Sequence, residues 1–353
     1  MNRRFFTRAG LVGVVLASSG LAAACGGDSA ADDAAEGMTL TLGVPGPTTS
    51  AAAFVLAQEA GLFEKHGVDV TITDKGALAP SEVAAGKLDL AQYGTGAAFA
   101  PAESGRDMSI VYALLGNATG AIQVAADSPL EPQDSLEDTL MQLSGARVGV
   151  QGQGGSSYGN ASAISKYVVD KGGEPLKLVP LPDYGAMTAQ LVSGQLDATV
   201  VFANPFLEAI AHNKLRVLVP STDPDLAALE GGDFAAISVF GVSQTLEKKH
   251  DAVVAFVKSV HEAYDLMDDT DLADLAEQLH ENPLLSSLSV DNIEQQLELD
   301  KPFWRPNNGE ITEESWQTAL DAMSNWGLTQ DLAKDAFSFD SIVDMNYYNE
   351  AQE

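Results

Sequence analysis

Short apolar runs and segments of helical spacing alternate along the chain from Met38 onward. Alternating or β-branched apolar runs are typical of strands, and apolar residues three and four apart are typical of helices. Gly86 follows the second helical segment, where a glycine commonly ends a helix. In chain order the pattern predicts a strand over 39–44, a helix over 51–60, a strand over 68–73, a helix over 80–85 and a strand over 88–92.

The same order of elements recurs further along the chain. The clearest echo is Gly86-Lys87-Leu88-Asp89 against Gly194-Gln195-Leu196-Asp197, at an offset of 108 residues (194 − 86). In each copy a glycine ends a helix, a leucine enters the core and an aspartate opens the next strand. The second copy is predicted as strand 147–151, helix 157–171, strand 176–181, helix 186–192 and strand 197–202. The repeat therefore predicts two α/β lobes of like construction.

The remainder of the chain is predicted to be mainly helical. Residues 234–242 favour a strand, and residues 245–267 carry a wide apolar face at helical spacing. In α/β sheets, ligands lie beyond the carboxyl ends of the strands. Two lobes would turn that edge into a cleft between them.

Composition and charge exclude several classes of protein. The chain has 353 residues, 45% of them hydrophobic, which is ordinary for a soluble globular protein of about two domains. Its 50 acidic and 19 basic side chains give a net charge of −31, which argues against nucleic acid as a partner and favours a monomer. We expect no metal and no cofactor. The histidines lack the spacing of a metal site: His66, His212, His250, His261 and His280.

The N-terminal residues indicate an export signal. Residues 1–8 are basic, and residues 9–24 are small or apolar with interrupting glycines and serines. This layout is typical of a cleaved signal peptide over residues 1–24 rather than of a membrane-spanning helix. The pair Arg3-Arg4 leaves both twin-arginine and general secretory export open.

The only cysteine, Cys25, lies directly after this segment. Residues 21–25 resemble the lipobox of bacterial lipoproteins, with Ala22 where a leucine is usual. The resemblance implies that Cys25 is lipidated and anchors the protein to the outer face of the cell membrane. Residues 25–37, which are small and polar, would then form a tether.

Five segments together resemble the periplasmic substrate-binding proteins of ABC importers, in the nitrate/sulfonate/taurine and thiamine-pyrimidine branch. They are QEAGLFEKHGVDV at 58–70, AGKLD at 85–89, LSGARVGV at 143–150, SGQLDA at 193–198 and AVVAFV at 252–257. The resemblance implies a bilobal periplasmic-binding-protein fold (type II-like), with two βαβ lobes joined by two crossovers near 121–126 and 234–242. Lobe 1 would comprise residues 38–125 and 241–353, and lobe 2 residues 126–240. It also implies hinge closure on a small organic solute, which passes to an ABC permease without chemistry.

Five loops at the expected carboxyl ends of the strands supply the candidate ligand-binding residues. A glycine-rich turn at 152–159 offers backbone amides, and the other loops offer hydroxyls, an acid, an amide and rings. Helix capping, a flexible turn or plain packing are the structural alternatives. The candidates are Thr48, Thr49, Ser50, Tyr93, Thr95, Gly155, Ser156, Ser157, Tyr158, Asp183, Tyr184, Phe202 and Asn204.

The candidate loops contain neither lysine nor arginine, which recognition of a small hard anion usually recruits. We therefore favour a neutral or weakly charged heteroaromatic solute. A sulfonate or nitrate stays open, because helix N-termini can bind anions alone. Lys75 and Arg106 are the basic residues that could also reach the cleft.

Two other functions fit parts of the sequence. Residues 155–159 match the Gly-x-Ser-x-Gly nucleophile elbow, with Ser157 as nucleophile and Asp197 and His212 downstream in hydrolase order. No oxyanion segment of the His-Gly-Gly type precedes it, so we do not expect an enzyme. A lipid-anchored receptor that senses its ligand would close in the same way as a transport protein.

Overall fold

The computed structural model describes residues 38–116, 120–152, 156–201, 206–230, 234–325 and 337–353. The predicted signal, Cys25 and the tether lie outside these residues, as do the candidates Gly155, Phe202 and Asn204. The described strands form two five-stranded sheets. The predicted α/β class is therefore confirmed.

The first sheet has the order β2-β1-β3-β10-β4 and the second the order β7-β6-β8-β5-β9. In the first sheet β1, β2 and β3 run parallel, and β10 is antiparallel to both β3 and β4. In the second sheet β6, β7 and β8 run parallel, and β5 is antiparallel to β8 and β9. The strands are β1 Thr39–Val44, β2 Asp69–Asp74, β3 Leu90–Gly94, β4 Met108–Gly116, β5 Ala121–Ala125, β6 Arg147–Val150, β7 Lys177–Pro180, β8 Ala198–Val201, β9 Leu215–Val219 and β10 Ala235–Val242.

Helices cover the faces of both sheets. Single turns of 3-10 helix at Thr49–Ala51, Gly76–Leu78 and Thr95–Ala98 follow β1, β2 and β3. The described α-helices are α1 Ala52–Glu59, α2 Leu62–Lys65, α3 Ala79–Ala84, α4 Phe99–Glu103, α5 Leu136–Met141, α6 Ser156–Asp170, α7 Tyr184–Val192, α8 Leu207–Ala211, α9 Pro224–Glu230, α10 Ser243–Lys248, α11 His250–Asp269, α12 Leu272–His280, α13 Val290–Asp300, α14 Glu313–Asn325, α15 Phe339–Ile342 and α16 Asn346–Ala351.

The sequence echo has the same packing role in both sheets. A Cβ atom added to Gly43 of β1 would lie 2.6 Å from Cδ1 of Leu88, and one added to Gly149 of β6 would lie 2.6 Å from Cδ1 of Leu196. A glycine in the first strand of each unit therefore makes room for the leucine that precedes the third strand.

The aspartates of the echo are equivalent as well. Asp89 Oδ2 accepts a hydrogen bond from the backbone N–H of Thr41 at 2.8 Å, and Asp197 Oδ2 accepts one from the backbone N–H of Arg147 at 2.7 Å. In both sheets a carboxylate thus joins the third strand to the first. The repeat seen in the sequence is a repeat of packing and of hydrogen bonding.

Strand pairing places the changes between sheets differently from the expected lobe boundaries. Residues 121–125, expected in lobe 1, form β5 and pair with β8 and β9 of the second sheet. Residues 235–240, expected in lobe 2, belong to β10 and pair with β3 and β4 of the first sheet. The chain therefore changes sheet between Gly116 and Ala121 and again between Val219 and Ala235.

The predicted helix over 245–267 is two helices, α10 and α11, separated at Lys249. Lys249 has φ −112° and ψ 29°, and its ammonium donates to the backbone oxygen of Thr39 at 2.9 Å and to Asp89 at 3.0 Å. This side chain ties the break to the start of β1. The long helix α11 then packs its apolar face on α1, with Phe256 stacked between Phe54 and Phe63.

A buried carboxyl group joins the two crossovers. Glu230, the last residue of α9, is fully buried, and its Oε2 accepts a hydrogen bond at 2.9 Å from the backbone N–H of Gly120, directly before β5. Its Oε1 has no hydrogen-bond partner among the described residues. Burial raises the pKa of Glu230 well above its ordinary value, opposed in part by the bond from Gly120.

Candidate functional site

The loops that follow the parallel strands of the two sheets lie against each other. A Cβ atom on Gly152, after β6, would lie 4.0 Å from the Cβ of Ala77, in the turn after β2. A Cβ atom on Gly76 would lie 3.9 Å from the backbone oxygen of Pro182, after β7. The carboxyl ends of both sheets therefore meet, as the sequence analysis expected of a cleft.

Thr49 is held by helix α13, which lies far along the chain from it. Its hydroxyl lies 2.7 Å from Asp300 Oδ2, to which it donates, and 3.2 Å from Gln296 Oε1. Its backbone N–H also points to Gln296 Oε1, at 3.3 Å. All three residues are buried. Thr49 thus fixes two polar side chains of α13 at the carboxyl end of β1.

The sequence pattern did not single out Gln296 and Asp300 as candidate site residues. They lie 247 and 251 residues from Thr49 in sequence, so no local motif connects them. One signal was present: Asn292, Gln296 and Asp300 recur every four residues, which places them on one helix face. All three are buried, so this face of α13 is a polar stripe turned inward.

Thr48 and Ser50 form a local network beside Thr49. Their hydroxyl oxygens lie 2.5 Å apart, and the backbone oxygen of Ser50 accepts a hydrogen bond from Gln92 Nε2 at 3.0 Å. Neither hydroxyl caps the short helical turn or α1. The simple capping alternative does not describe this loop.

Tyr93 is near the end of β3 and Thr95 begins the helical turn that follows it, and the two hydroxyls differ in their contacts. The Tyr93 hydroxyl is buried with no hydrogen-bond partner among the described residues, and burial raises the pKa of Tyr93 to about 12. The Thr95 hydroxyl donates to the backbone oxygen of Ala235 at 2.6 Å and lies 2.7 Å from the Ser238 hydroxyl. Thr95 holds the turn against β10, whereas the Tyr93 hydroxyl makes no hydrogen bond to any described residue.

Gln151, which precedes the glycine-rich turn of the second sheet, is hydrogen-bonded to the start of α6. The backbone N–H of Gln151 donates to Ser157 Oγ at 3.0 Å, and both Ser156 and Ser157 are buried. Tyr158 is half-buried and packs against the apolar core of the second sheet. The packing alternative therefore describes the ring of Tyr158.

Asp183 and Tyr184 start helix α7. Asp183 is its N-cap and accepts a hydrogen bond from the backbone N–H of Ala186 at 2.7 Å, while its side chain is exposed. The Tyr184 hydroxyl accepts a hydrogen bond from Gln151 Nε2 at 2.7 Å. The ring of Tyr184 meets Phe206 edge-on, with centroids 5.9 Å apart.

Residues from elements of the first sheet's lobe influence the pKa of Tyr184, which belongs to the second. Burial raises the pKa of Tyr184, and the nearby Tyr93 and Asp300 raise it further. Helix α13, which carries Asp300, also contacts α8 beside the second sheet. Tyr93 from β3, Asp300 from α13 and Tyr184 from α7 are thus close enough to influence one another electrostatically.

The basic residues considered for the cleft lie differently. Lys75 follows β2 at the cleft edge, and its ammonium is 3.1 Å from Glu82. Arg106 is exposed just before β4. Ile237, near the start of β10, pairs with Gly94 at the cleft end of β3, so the start of β10 lies near the cleft. Val242, at the other end of β10, pairs with Met108, so the start of β4 lies at the end of the sheet far from the cleft. The expectation for Arg106 is therefore wrong.

The residues of the hydrolase alternative are not brought together. Asp197 directly precedes β8 and forms a salt bridge with Arg147, whose Nη2 lies 2.6 Å from Asp197 Oδ1. Ser157 lies beyond the other end of β6, which runs parallel to β8. His212 Nδ1 lies 2.8 Å from the backbone oxygen of Glu208. Asp197 and Ser157 therefore lie at opposite ends of the parallel strands of the second sheet.

Within the described residues, no cluster of three or more histidine, cysteine, aspartate or glutamate side chains is arranged to hold a metal ion. None of the helices in this part of the chain combines the length and apolar character needed to cross a membrane.

Solved structures share this architecture. A protein from Bordetella bronchiseptica RB50 aligns with a TM-score of 0.73 at 18% identity, covering 89% of this chain and 97% of that one. The alkanesulfonate-binding protein SsuA from Xanthomonas axonopodis pv. citri, bound to MOPS, aligns at 0.65 and 17%, covering 85% and 97%. The periplasmic nitrate-binding protein NrtA from Synechocystis PCC 6803 aligns at 0.68 and 16%, covering 89% and 88%.

Two mixed sheets joined by two crossovers, with their strand ends facing, define the bilobal periplasmic-binding-protein fold. Residues 48–270 match the family model described as NMT1/THI5 like. The chain belongs to this family. No curated protein matches the chain.

Proposed function

We propose that the chain is the solute-binding component of an ABC importer, which captures a small organic solute between its lobes and presents it to a permease. The observation that carries this proposal is the meeting of loops from the carboxyl ends of both sheets. SsuA and NrtA, which share the fold, are named for binding alkanesulfonate and nitrate.

Closure of the lobes supplies the mechanism. Contacts to the solute that form only when both lobes engage it lower the free energy of the closed state alone. Lobe 1 would present Thr48, Thr49, Ser50 and Tyr93, and lobe 2 Gly155, Ser156, Ser157, Tyr184 and Asn204. The two hinges of this movement would lie where the chain changes sheet, between Gly116 and Ala121 and between Val219 and Ala235.

The N-terminal residues belong to the same proposal. A lipid on Cys25 would hold the binding protein at the outer face of the cell membrane, close to its permease. The tether over 25–37 keeps the domain within a small volume, which raises its effective concentration at the transporter.

A thermal-shift screen of the purified chain carrying Cys25→Ser tests the binding role. The panel contains alkanesulfonates, nitrate, pyrimidines, flavins and amino acids. A solute at about 100 times its dissociation constant adds roughly 2.7 kcal/mol to the free energy of unfolding, which raises the melting temperature by several degrees. Turnover of an ester that Ser157→Ala abolishes would contradict the proposal.

A further inference from the structure

Two buried polar side chains lie beside Gly120, at the end of the first crossover. Asn160 is 1% exposed and Glu230 is fully buried. Neither amide atom of Asn160 has a hydrogen-bond partner among the described residues, and the same holds for Oε1 of Glu230. A buried polar atom without a partner is unfavourable and rare in folded proteins. Three such atoms in one place indicate that a further hydrogen-bonding group belongs there.

Gly120 brings the two side chains to the same place. Its backbone N–H donates to Glu230 Oε2 at 2.9 Å. A Cβ atom added to it would lie 2.8 Å from Asn160 Nδ2 and 3.2 Å from Cγ1 of Val200, which is closer than real Cβ atoms approach. The glycine therefore makes room for the Asn160 amide.

The position of Gly120 places these groups at the cleft edge of the second sheet. Ala121 pairs with Val201, the last residue of β8, so Gly120 lies at the carboxyl end of that strand. The loops of both sheets meet at this edge, and ligands of α/β sheets bind there.

Asn160 also shares a helix face with a candidate ligand-binding residue. It comes four residues after Ser156, which begins α6 and is buried. Residues four apart lie on one face of a helix, about one turn of 5.4 Å from each other. A solute held at the start of α6 would therefore lie about one helical turn from the Asn160 amide.

The unpaired atoms define the chemistry of the group that fits them. Asn160 offers one acceptor and one donor, and Glu230 Oε1 adds a further acceptor or, when protonated, an O–H donor. Burial is the main cause of the raised pKa of Glu230, so the neutral carboxyl is favoured. A sulfonate or nitrate carries acceptors and no N–H, so it would leave Asn160 Oδ1 unpaired. An uncharged group with an N–H beside a carbonyl pairs with both amide atoms.

We propose that Asn160 and Glu230 form a subsite at the hinge edge of the cleft and that the solute carries an uncharged amide, lactam or urea edge, which pairs there with the Asn160 amide and Glu230 Oε1. This inference rests on the proposed binding function and names the chemical class of its solute.

Three probes of similar size test this class: 2-benzimidazolinone, 2-indanone and benzenesulfonate. The first two have the same bicyclic shape and the same carbonyl, but 2-indanone has methylene groups where 2-benzimidazolinone has N–H groups. Affinities are measured by calorimetry with the full chain carrying Cys25→Ser. We expect 2-benzimidazolinone to bind at least about tenfold more tightly than 2-indanone, a difference of about 1.4 kcal/mol, and benzenesulfonate to bind most weakly.

Asn160→Leu keeps the branched shape of the side chain and removes its hydrogen-bonding atoms. It should lower the ratio of the two affinities to less than about threefold. Its melting temperature should stay equal or rise, because the amide that it removes has no partner among the described residues. Asn160→Ala should lower the ratio in the same way and serves as the second variant, because the smaller side chain cannot clash with Gly120.

Asn349→Leu is the matched control, because Asn349 is an exposed amide on α16. The same chemical change at the surface should leave the ratio of the two affinities unchanged.

Four results would each overturn the inference: equal affinity for 2-benzimidazolinone and 2-indanone, a ratio that both Asn160 variants leave unchanged, tightest binding of benzenesulfonate, or binding of none of the probes at millimolar concentration. A melting temperature that falls in Asn160→Leu while the ratio stays unchanged would show a purely structural amide. In all of these cases a solute of the thermal-shift panel that still binds would leave the importer function intact. The binding function itself would fail only if no solute of that panel raised the melting temperature.

Discussion

The backbone N–H of Gly120 donates a hydrogen bond to the buried carboxyl group of Glu230 at 2.9 Å. Gly120 directly precedes β5 and Glu230 lies between β9 and β10, so one bond joins the two segments that connect the sheets. Both amide atoms of Asn160, on α6 below the glycine-rich turn, are buried next to Gly120 without a hydrogen-bond partner among the described residues. Gly120, Glu230 and Asn160 thus lie together and connect helix α6, which follows the proposed ligand loop, to both crossovers.

The raised pKa of Glu230 predicts a pH-dependent contribution to stability. In the folded state the neutral carboxyl is favoured, so its contribution is fully present below the unfolded pKa near 4.5 and is lost as the pH rises through the folded pKa. Relative to wild type, Glu230→Gln should therefore gain free energy of unfolding as the pH rises, at up to about 1.4 kcal/mol per pH unit within that window. Urea unfolding at a series of pH values measures the difference.

Two controls accompany this measurement. Glu277→Gln changes an exposed glutamate and should give a difference that does not grow with pH. Glu230→Ala leaves the Gly120 N–H without an acceptor, so it should be about 1–3 kcal/mol less stable than Glu230→Gln at every pH. A Glu230→Gln difference that stays flat from pH 4 to 8 would mean that Glu230 is ionised in the folded protein.

The unused hydroxyl of Tyr93 predicts opposite effects on stability and binding. Tyr93→Phe removes a buried hydroxyl that lacks a partner among the described residues, so the free energy of unfolding should stay equal or rise by about 1 kcal/mol. Solute affinity should fall, because the hydroxyl is proposed to contact the ligand. Calorimetry and thermal unfolding on the same preparation separate the two effects.

Tyr264→Phe is the matched control for Tyr93→Phe. The Tyr264 hydroxyl is buried and already paired, since it donates to the backbone oxygen of Leu114 at 2.9 Å. Its removal should cost about 1 kcal/mol of stability and leave affinity unchanged. Unchanged affinity in Tyr93→Phe would instead remove that hydroxyl from the binding site.

Local sequence signals predicted the repeated part of the fold well, because the packing there is set by residues close in sequence. Gly86 and Gly194 both have φ +71°, a conformation that glycine adopts most readily, and both end a helix as predicted. The leucines two positions later fill the space left by Gly43 and Gly149. Steric requirements of this kind are visible in a single sequence.

Relationships between residues far apart in the chain could not be predicted from the sequence. Strand β4 is buried along all nine residues, and apart from Ser109 it is an apolar run without the alternation that marks a strand. Asp300 reaches Thr49 across 251 residues, which only the folded chain brings together. The lobe boundaries differed for the same reason, since the sheet that β5 or β10 joins depends on pairing rather than on local composition.

The lipobox-like segment before Cys25 predicts a specific covalent product. If the signal is cut before Cys25, the mature chain begins at residue 25 and its N-terminal peptide carries a diacylglyceryl group. Mass spectrometry of that peptide from the membrane fraction measures both features. Cys25→Ser should leave the signal uncut and move no lipidated product to the membrane, whereas a membrane-bound, processed Cys25→Ser chain would contradict lipidation.

The approach of Ala77 to Gly152 predicts a disulfide that locks the two lobes. The Cβ of Ala77 and a Cβ built on Gly152 lie 4.0 Å apart, within the range of about 3.5–4.5 Å for disulfides, and Gly152 lies outside the left-handed region. In a Cys25→Ser background, Ala77→Cys combined with Gly152→Cys should oxidise to a single intramolecular disulfide. Because a locked cleft cannot exchange its contents, solute association and release should slow strongly when oxidised and recover on reduction.

Each single-cysteine variant should bind at the normal rate under both conditions. Two free thiols remaining after oxidation, or normal exchange in the oxidised double variant, would show that these loops do not control access to the cleft.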